Sequence, residues 1–380
     1  MLLALAVLTL LVQAVVLVRL VTGARTICRL TDEPPLAPAE HHPTVSIVLA
    51  ARDEGRAIEQ AVRSLLAQQY PGLELVAVDD RSSDATGAIL DSLAAADPRL
   101  RVVHVRELPP GWLGKNHALY LGAEATTGEW LLFTDGDIVM EPDAVARALA
   151  FAQRRRLDFL AVPPGAIIPT APLNLFLTFF VVALFAWIRP WKARDPHSRV
   201  HVGTGAFNLL RRSTYQALGT HRRIALRPDD DLKLGKAAKL AGARQDLVSG
   251  EGMLTVEWYS TLGEAWVGLR KNALAGLDYH ASLFVGAAAF TLLVHVWPVV
   301  ALFLTSGLTR AAYLASYLVS VLAYARVAGR RRPWLAPAVP IAAILMLAAL
   351  GAAIARTLRR GGIEWRGTFY PLDELKRNVV

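Results

Sequence analysis

Two carboxylates stand two residues apart directly after a short apolar run. Asp135 and Asp137 flank Gly136, and the run Trp130-Leu131-Leu132-Phe133-Thr134 precedes them. In a strand, residues i and i+2 share one face, and a turn at Gly136 would also let the two carboxylates converge. Carboxylate oxygens are the ligands that hard cations such as Mg²⁺ or Mn²⁺ prefer. The pattern predicts a divalent-cation site at Asp135 and Asp137, although an Asp-Gly-Asp taken alone is more typical of a turn.

Acidic residues also follow two other apolar runs. Asp53 and Glu54 come after the run at residues 45–50, and Asp79 and Asp80 come after the run at 73–78. If the runs are parallel strands, their carboxyl ends meet at one edge of the sheet, where ligands bind. Asp79 and Asp80 could then accept hydrogen bonds from a base or a ribose. The alternative for these two residues is a role in turns and helix capping.

A further acidic cluster, Asp229-Asp230-Asp231, precedes a basic helical segment at residues 233–239. We interpret Asp231 as a general base, with Asp230 as the second choice, because direct displacement by a hydroxyl group needs a carboxylate to take the hydroxyl proton. Acidic residues at a helix N-terminus are also expected from capping and the helix dipole, so that interpretation stays open. The glycine-rich segment 203–207 is predicted to form either a wall of the acceptor site or ordinary tight packing.

Lys115 lies between flanking glycines in the segment Gly111-Trp112-Leu113-Gly114-Lys115-Asn116-His117-Ala118-Leu119. Glycine lets the backbone approach a ligand closely, and lysine is a compact charge that suits a phosphate. The alternative is an ordinary solvated loop lysine.

The elements that would position these residues alternate between strand and helix patterns. Continuous apolar runs at 45–50, 73–78, 100–105 and 130–133 are typical of strands buried on both faces. Helical spacing at 58–69, and a helix opened by Ser82-Ser83-Asp84, separate the first three runs. This alternation predicts an α/β domain over residues 44–276, with a mostly parallel sheet and helices on both sides.

The composition indicates that this domain is joined to membrane segments. The chain has 380 residues, of which 54% are hydrophobic and 19% charged. Its mean hydropathy is +0.35, which is too apolar for an ordinary soluble enzyme. The net charge of +9 comes with arginines beside apolar segments, which favours an anionic membrane surface over nucleic acid. The single cysteine, Cys28, excludes a disulfide framework and a multi-cysteine metal site.

Apolar segments lie at both ends of the sequence. Residues 1–22 are predicted to be an uncleaved anchor, because no charge precedes the apolar run and three arginines follow it. Residues 281–356 are predicted to hold three segments, at 281–307, 311–325 and 335–355, of which the middle one is short for a span. Basic runs at 326–332 and in the tail 357–380 both favour the cytoplasmic side, which one full span between them would forbid. Either one segment is re-entrant or the charge rule fails here.

A further apolar segment, residues 173–188, interrupts the charged part of the sequence. It is rich in Phe and Trp and ends at Arg189 and Lys192. Aromatic and basic residues at one end favour a helix that lies in the membrane interface. A buried core helix is the alternative.

The combined motifs resemble the family 2 inverting glycosyltransferases. Four blocks within residues 44–272 carry the resemblance, and they are Val45-Ser46-Ile47-Val48-Leu49-Ala50-Ala51-Arg52-Asp53-Glu54, Val76-Ala77-Val78-Asp79-Asp80-Arg81-Ser82-Ser83-Asp84-Ala85-Thr86, Phe133-Thr134-Asp135-Gly136-Asp137, and Gly205-Ala206-Phe207 through Asp230-Asp231-Leu232-Lys233-Leu234. The segment 111–119 is similar to membrane-bound bacterial members associated with hopanoid or carotenoid glycosylation. The resemblance implies a nucleotide-sugar-binding, GT-A type Rossmann-like fold.

The resemblance also implies a role for each candidate residue. The donor site is expected to involve Ala50, Arg52, Asp53, Glu54, Asp79, Asp80, Lys115 and Asp135. Asp135 and Asp137 would hold Mg²⁺ or Mn²⁺, and Asp231, with Asp230 beside it, would be the base. The donor is expected to be a UDP-linked sugar and the acceptor a lipid at the bacterial cytoplasmic membrane, with the catalytic domain in the cytoplasm.

One departure from the wider family bears on the product. Processive polysaccharide synthases carry a Gln-x-x-Arg-Trp motif, whereas this region reads Val256-Glu257-Trp258-Tyr259-Ser260 through Arg270-Lys271-Asn272. We therefore expect a single, non-processive transfer. A processive polysaccharide synthase is the first alternative, and a non-enzymatic membrane scaffold is the second.

Overall fold

The computed structural model describes residues 1–36, 42–328 and 332–380. The chain forms two compact units. The sheet unit comprises Ile27–Ile167, Pro190–Trp258 and Arg377–Val380, and the apolar unit comprises Met1–Thr26, Ile168–Arg189 and Tyr259–Lys376. The predicted domain at 44–276 therefore overlaps both units.

Strands and helices alternate through most of the sheet unit. The strands of the described residues are β1 (Val45–Ala51), β2 (Leu73–Asp80), β3 (Leu100–Val105), β4 (Trp130–Asp135), β5 (Val139–Met140), β6 (Phe159–Ala161), β7 (Pro164–Ala166), β8 (Asn208–Arg211), β9 (Gln245–Leu247), β10 (Gly250–Val256), β11 (Gly362–Trp365) and β12 (Thr368–Pro371). The α-helices are α1 (Leu2–Ala24), α2 (Ile58–Leu66), α3 (Thr86–Ala96), α4 (Gly114–Glu124), α5 (Ala144–Arg154), α6 (Ala171–Ile188), α7 (Arg212–Ala217), α8 (Asp230–Leu240), α9 (Leu262–Gly268), α10 (Ala281–Thr291), α11 (Trp297–Leu304), α12 (Gly307–Ala328), α13 (Val339–Arg360) and α14 (Leu372–Arg377).

A central sheet of seven strands organises the sheet unit, in the order β3-β2-β1-β4-β8-β6-β9. The first four strands are mutually parallel, and β8 runs antiparallel to both of its neighbours. The chain steps outward from β1 to β2 and β3, then returns to place β4 on the other side of β1. This reversal creates the crevice at which open α/β sheets bind ligands. The predicted α/β fold with a mostly parallel sheet is confirmed.

The strands form because their side chains are apolar on both faces. Ile47, Val48 and Leu49 of β1 are all fully buried, since helices cover both sides of the sheet. Helix α2 turns Ile58, Val62 and Leu65 towards this core at a spacing of three to four residues. Every buried CH₂ adds about 0.8 kcal/mol of hydrophobic stabilisation, so this core fixes the strand ends that carry the polar residues.

The apolar unit consists mainly of long apolar helices. Five helical segments of the described residues are long and apolar enough to cross a membrane, and they are Leu2–Ala24, Ala171–Lys192, Ala281–Leu304, Gly307–Ala328 and Pro333–Arg360. The segment whose apolar run looked short, 311–325, belongs to a 22-residue helix, because α12 starts four residues earlier and continues three residues later. Its length of about 33 Å is enough for a bilayer core.

Candidate active site

The register of the central sheet places the candidate residues at one edge. Ala50 of β1 pairs with Asp135 of β4, and Ala51 pairs with Asp79 of β2. Asp135 is therefore the last residue of a strand, whereas Asp137 lies in the turn between β4 and β5. A Cβ atom built on Gly205 would lie 2.3 Å from Asp135 Oδ2, so only glycine allows this approach.

Lys115 links the strand end to the acidic cluster. It occupies the first turn of α4, and its Nζ lies 2.8 Å from Asp135 Oδ1 and 3.1 Å from Asp230 Oδ2. Burial acts to lower the pKa of Lys115, but the charges of Asp135 and Asp230 outweigh it and hold the pKa well above its usual value. The ammonium group is therefore charged at neutral pH and available to an anion.

The three consecutive aspartates have different partners. Both oxygens of Asp229 lie 2.9 Å from the Arg227 guanidinium, and Asp230 pairs with Lys115. Asp231 instead accepts hydrogen bonds from two backbone N–H groups, that of Gly205 at 2.9 Å and that of Leu232 at 2.7 Å. Asp231 is thus the member of the cluster held by neutral donors.

The environment of Asp231 makes it a stronger base than an ordinary aspartate. Burial and then the charge of neighbouring Asp230 raise the pKa of Asp231 to about 6. A carboxylate with this pKa is largely ionised at pH 7, and it accepts a proton more readily than an ordinary aspartate, whose pKa is about 4. The position and basicity of Asp231 both suit general-base chemistry.

One pocket brings together part of the predicted set. Its lining includes Lys115, Asp135, Gly205, Asp230 and Asp231. The other predicted residues lie beside it, at the ends of β1, β2 and β4. The structure thus gathers the predicted base, the cationic group and the first aspartate of the Asp-Gly-Asp motif around one space.

The acids at the end of β2 are engaged within the protein. Asp80 accepts two hydrogen bonds from Arg81, at 2.8 and 3.0 Å, and its Oδ2 lies 3.9 Å from Arg52 Nη1. Asp79 Oδ2 lies 3.0 Å from Nδ1 of His104. These contacts fix both carboxylates at the sheet edge.

Asp53 adopts a left-handed backbone conformation, with φ at 54°. Its Oδ1 accepts hydrogen bonds from the backbone N–H and the hydroxyl of Ser83, and these bonds lower its pKa. The next residue, Glu54, donates its backbone N–H to Thr86 Oγ1 at 2.8 Å. The segment after β1 is therefore tied to the segment after β2, as two walls of one crevice.

The Asp-Gly-Asp motif fits a divalent cation in the type of its donors. Burial, followed by the charges of Asp135 and Glu54, raises the pKa of Asp137 to about 7. This excess of negative charge is what a bound cation would neutralise. Within the described residues, no three His, Cys, Asp or Glu side chains converge as a closed metal cage. Mg²⁺ commonly uses one or two carboxylates and completes its shell with substrate phosphates and water, so Asp135 and Asp137 match that pattern.

Two residues of the site were not predicted from the sequence. His221 is buried, lines the pocket, and pairs through Nδ1 with the hydroxyl of Tyr215 at 2.8 Å. Burial lowers the pKa of His221 to about 3, so the imidazole is neutral. Asn116 donates from Nδ2 to the carbonyls of Ile224 and Arg227, which ties α4 to the loop before Asp229. Neither residue belongs to a motif with a recognisable spacing, although Asn116 does follow Lys115 directly.

Comparison with known proteins finds a family match for part of this chain. Residues 46–219 match the model of the Glycosyl transferase family 2. The 4,4'-diaponeurosporenoate glycosyltransferase of Staphylococcus haemolyticus is 23% identical over 231 residues, which cover 59% of this chain and 60% of that protein. The beta-monoglucosyldiacylglycerol synthase of Synechocystis is 36% identical over 138 residues, which cover 35% of this chain and 27% of the relative. The chain thus spans less than two thirds of the length of these curated relatives.

A solved structure shares the fold. The mannosyltransferase PcManGT from Pyrobaculum calidifontis, solved with GDP-Man and Mn²⁺, superposes with a TM-score of 0.55 at 21% identity. The superposition covers 94% of this chain and 99% of the mannosyltransferase. The family match includes Asp53, Asp79, Lys115 and Asp135, and the GT-A type sheet holds them at one edge. Residues 46–219 therefore match a family 2 glycosyltransferase domain, and the chain shares the GT-A type fold.

Proposed function

We propose that this protein is a glycosyltransferase that transfers one sugar, with inversion, from a nucleoside-diphosphate donor to a lipid hydroxyl or carboxyl group. The observation that carries the proposal is the placement of Asp231 in the same pocket as Lys115 and Asp135. An inverting transfer needs a base on one side of the reacting carbon and charge stabilisation for the leaving group on the other. Asp231 is the proposed base, and Lys115 and Asp135 lie where the charge of the leaving group would be stabilised.

Each residue has a defined part in this mechanism. Asp231 takes the proton of the acceptor group while that oxygen attacks the sugar carbon, and the backbone N–H of Gly205 orients the carboxylate. Lys115 lies where it can meet the negative charge that develops on the diphosphate. Asp135 and Asp137 would hold the Mg²⁺ or Mn²⁺ ion, which neutralises leaving-group charge when bound. Asp53, Glu54, Asp79 and Asp80 line the crevice proposed for the nucleoside.

The donor is proposed to be UDP-linked, and the acceptor to be a membrane lipid. Five apolar helical segments among the described residues support a membrane location, with residues 1–22 as an anchor and the sheet unit in the cytoplasm of a bacterium. The names of the relatives, a carotenoid-acid glycosyltransferase and a glucosyldiacylglycerol synthase, agree with a lipid acceptor. A single transfer, not a polymer, is proposed because the Gln-x-x-Arg-Trp motif is missing from the sequence.

The test is a transfer assay with the full chain in lipid nanodiscs. Radiolabelled UDP-sugars and, as a separate arm, GDP-sugars are supplied with extracted bacterial lipids and Mg²⁺ or Mn²⁺. The expected product is a lipid carrying one sugar, identified by thin-layer chromatography and mass spectrometry. Asp231→Asn should abolish the product, whereas Asp195→Asn, outside the pocket, should not. A long polymer would overturn single transfer, and full activity of Asp231→Asn would remove Asp231 from its role.

A further inference from the structure

We infer that the last long apolar segment, Pro333–Arg360, is re-entrant. It enters the bilayer and returns to the side that holds the sheet unit, and together with α6 it forms an apolar surface for the acyl chains of that leaflet. The inference rests on the membrane location proposed above. It also settles the conflict between the two basic runs at 326–332 and 357–380, which one full span would place on opposite sides.

The path of the chain around α6 sets the first constraint. Strand β6 precedes α6 and strand β8 follows it, yet the two strands are paired, with Leu160 opposite Leu209. Both ends of α6 therefore connect to one compact unit. A helix that crossed the membrane once would leave its two ends on opposite sides, so α6 does not cross.

The same reasoning applies to the end of the chain. The chain leaves the sheet unit after Trp258 and rejoins it at Arg377. There, Asn378 donates from Nδ2 to the carbonyl of Arg223, and its Oδ1 accepts from the backbone N–H of Leu226. Residues 258 and 377 are thus on one side of the membrane. An even number of the three intervening apolar segments must cross.

Contacts within the apolar unit identify the pair that crosses. The Tyr313 hydroxyl reaches the carbonyl of Leu2, and Ser320 lies 2.9 Å from His295, which itself lies 3.4 Å from Gln13. Residues near the start of α1 thus lie beside the first part of α12, and residues further along α1 lie beside the later part of α12. The two helices therefore run parallel.

The segment Ala281–Leu304 runs the opposite way. Gln13 Nε2 donates to the carbonyl of Val294, and Ala301, further along the segment, shares a cluster with Ala6, nearer the start of α1. Arginines follow the ends of α1 and α12 in the sequence, so both helices end at the same basic side. The two crossing segments are then Ala281–Leu304 outward and α12 back.

The path of α13 shows why it is the segment that does not cross. The segment that leads into α13 lies beside the middle of α12, where the Tyr317 hydroxyl donates to the carbonyl of Pro337. Its C-terminal half lies beside the start of α10, since a Cβ atom on Gly351 would meet the Phe284 ring at 3.3 Å. The start of α10 is at the basic side. Helix α13 therefore runs back to that side and not across the bilayer.

The hairpin after α13 lies on the same side. The Lys271 ammonium is 4.3 Å from the centre of the Trp365 ring, and Lys271 precedes α10. Arg356, Arg359 and Arg360 at the end of α13 then face the same compartment as the basic run after α12. All basic clusters next to apolar helices are thus placed on one side, as the charge rule requires.

The two non-crossing segments share one apolar body. Leu173 and Phe176 of α6 belong to the same buried cluster as Val339, Ala342 and Met346 of α13. Each segment presents a tryptophan to its surroundings, Trp187 at 77% and Trp334 at 68% exposure, next to Arg189 and Arg332 respectively in the sequence. Tryptophan beside arginine is typical of the headgroup region of a bilayer. The partner of this surface is one leaflet of acyl chains.

Single-cysteine labelling of the full chain tests the inference. Cys28→Ser removes the only cysteine. Ser306→Cys then reports the turn between α11 and α12, Glu374→Cys the segment after α13, and Glu107→Cys the sheet unit; all three positions are exposed. A membrane-impermeant maleimide is added to intact spheroplasts and to permeabilised ones, and sugar transfer is measured for each variant.

We expect Ser306→Cys to label in intact spheroplasts, and Glu374→Cys and Glu107→Cys to label at least tenfold less until permeabilisation. Labelling of Glu374→Cys in intact spheroplasts while Glu107→Cys stays protected would overturn the re-entrant segment, as would protection of Ser306→Cys together with Glu107→Cys. If Glu107→Cys and Glu374→Cys both label in intact spheroplasts, the re-entrant path holds and the proposed cytoplasmic side is wrong. Transfer activity reports on the proposed reaction independently of either result.

Discussion

Both ends of the central sheet carry carboxylates, but the surroundings shift the pKa of these carboxylates in opposite directions at the two ends. At the amino end of β2, one oxygen of Glu74 accepts from the Ser46 hydroxyl at 2.6 Å and from the backbone N–H groups of Thr127 and Gly128 at 2.7 and 3.0 Å. These bonds outweigh the effect of burial and lower the pKa of Glu74. At the carboxyl edge, burial and nearby acids raise the pKa of Asp137 and Asp231.

The difference separates carboxylates that hold the fold together from those left for chemistry. Glu74 is stabilised as an anion by donors of its own chain, so folding gains from its charge. Folding disfavours the charges of Asp137 and Asp231, because burial and neighbouring acids raise the pKa of both carboxyl groups. A group that costs stability at one edge of an otherwise well-paired sheet indicates a function at that edge.

The largest effect that would sharpen this comparison is expected from Asp231→Asn. General-base removal typically lowers kcat by about 10² to 10⁴-fold. The midpoint of thermal unfolding should change little, because the amide keeps one acceptor while the unfavourable buried charge disappears. Steady-state kinetics and differential scanning fluorimetry in nanodiscs check both parts. A large loss of stability with unchanged activity per folded molecule would show that Asp231, like Glu74, stabilises the fold and is not the base.

The second largest effect concerns pH. The raised pKa of Asp231 means that its base form dominates above pH about 6 and is lost as pH falls through that value. We expect kcat/KM to fall about tenfold per pH unit below this point and to level off above it. The profile is measured from pH 5 to 8 at saturating Mg²⁺. A profile that stays flat down to pH 5 would contradict Asp231 as the titrating base.

The sequence predicted which residues lie at the carboxyl end of the sheet, but it gave almost no indication of the role of Glu74 at the amino end. Strands β1 to β4 are continuous apolar runs, and parallel topology brings the acids after them to a common edge. Those signals are local, so they can be read in order along the chain. Glu74 stands inside such a run, and its donors come from Ser46 and from the loop before β4. Its structural role depends on strand register, which no local pattern encodes.

The part of the site around Asp231 was predicted only in part. Asp231 stood out as one of three consecutive acids, but the partners that distinguish it from Asp229 and Asp230 come from Arg227, Lys115 and Gly205. Strand β8 has only four residues, and it inserts antiparallel between β4 and β6. Short strands that pair over long sequence separations leave little periodic signal. His221 became visible only because folding buries it beside the pocket.

The third effect is expected from Glu74→Ala at the structural end of the sheet. The substitution leaves the Thr127 N–H without its acceptor, which costs about 1–3 kcal/mol in free energy of unfolding. Because the pKa of Glu74 is lowered, the stabilisation is present above its usual pKa and is lost as pH falls through the folded value. Hydrogen exchange of the peptide containing Thr127 and Gly128 should accelerate, while kcat per folded molecule should stay within twofold. A kcat that falls with Glu74→Ala would show that the two ends of the sheet are not independent.

The smallest effect is expected from Glu59→Ala, a control at an exposed carboxylate on helix α2. Glu59 forms a salt bridge of 2.8 Å with Arg63 one helical turn away, but the two side chains are 56% and 64% exposed. Exposed pairs of this spacing contribute about 0.3–0.5 kcal/mol, and alanine's helix propensity offsets part of that loss. We therefore expect the free energy of unfolding to change by less than about 0.5 kcal/mol, with exchange at Thr127 unaffected. If Glu59→Ala destabilised the protein as much as Glu74→Ala, the hydrogen bonds that Glu74 accepts would not explain its contribution to stability. The contrast between the carboxylates at the two ends of the sheet would then lose its structural basis.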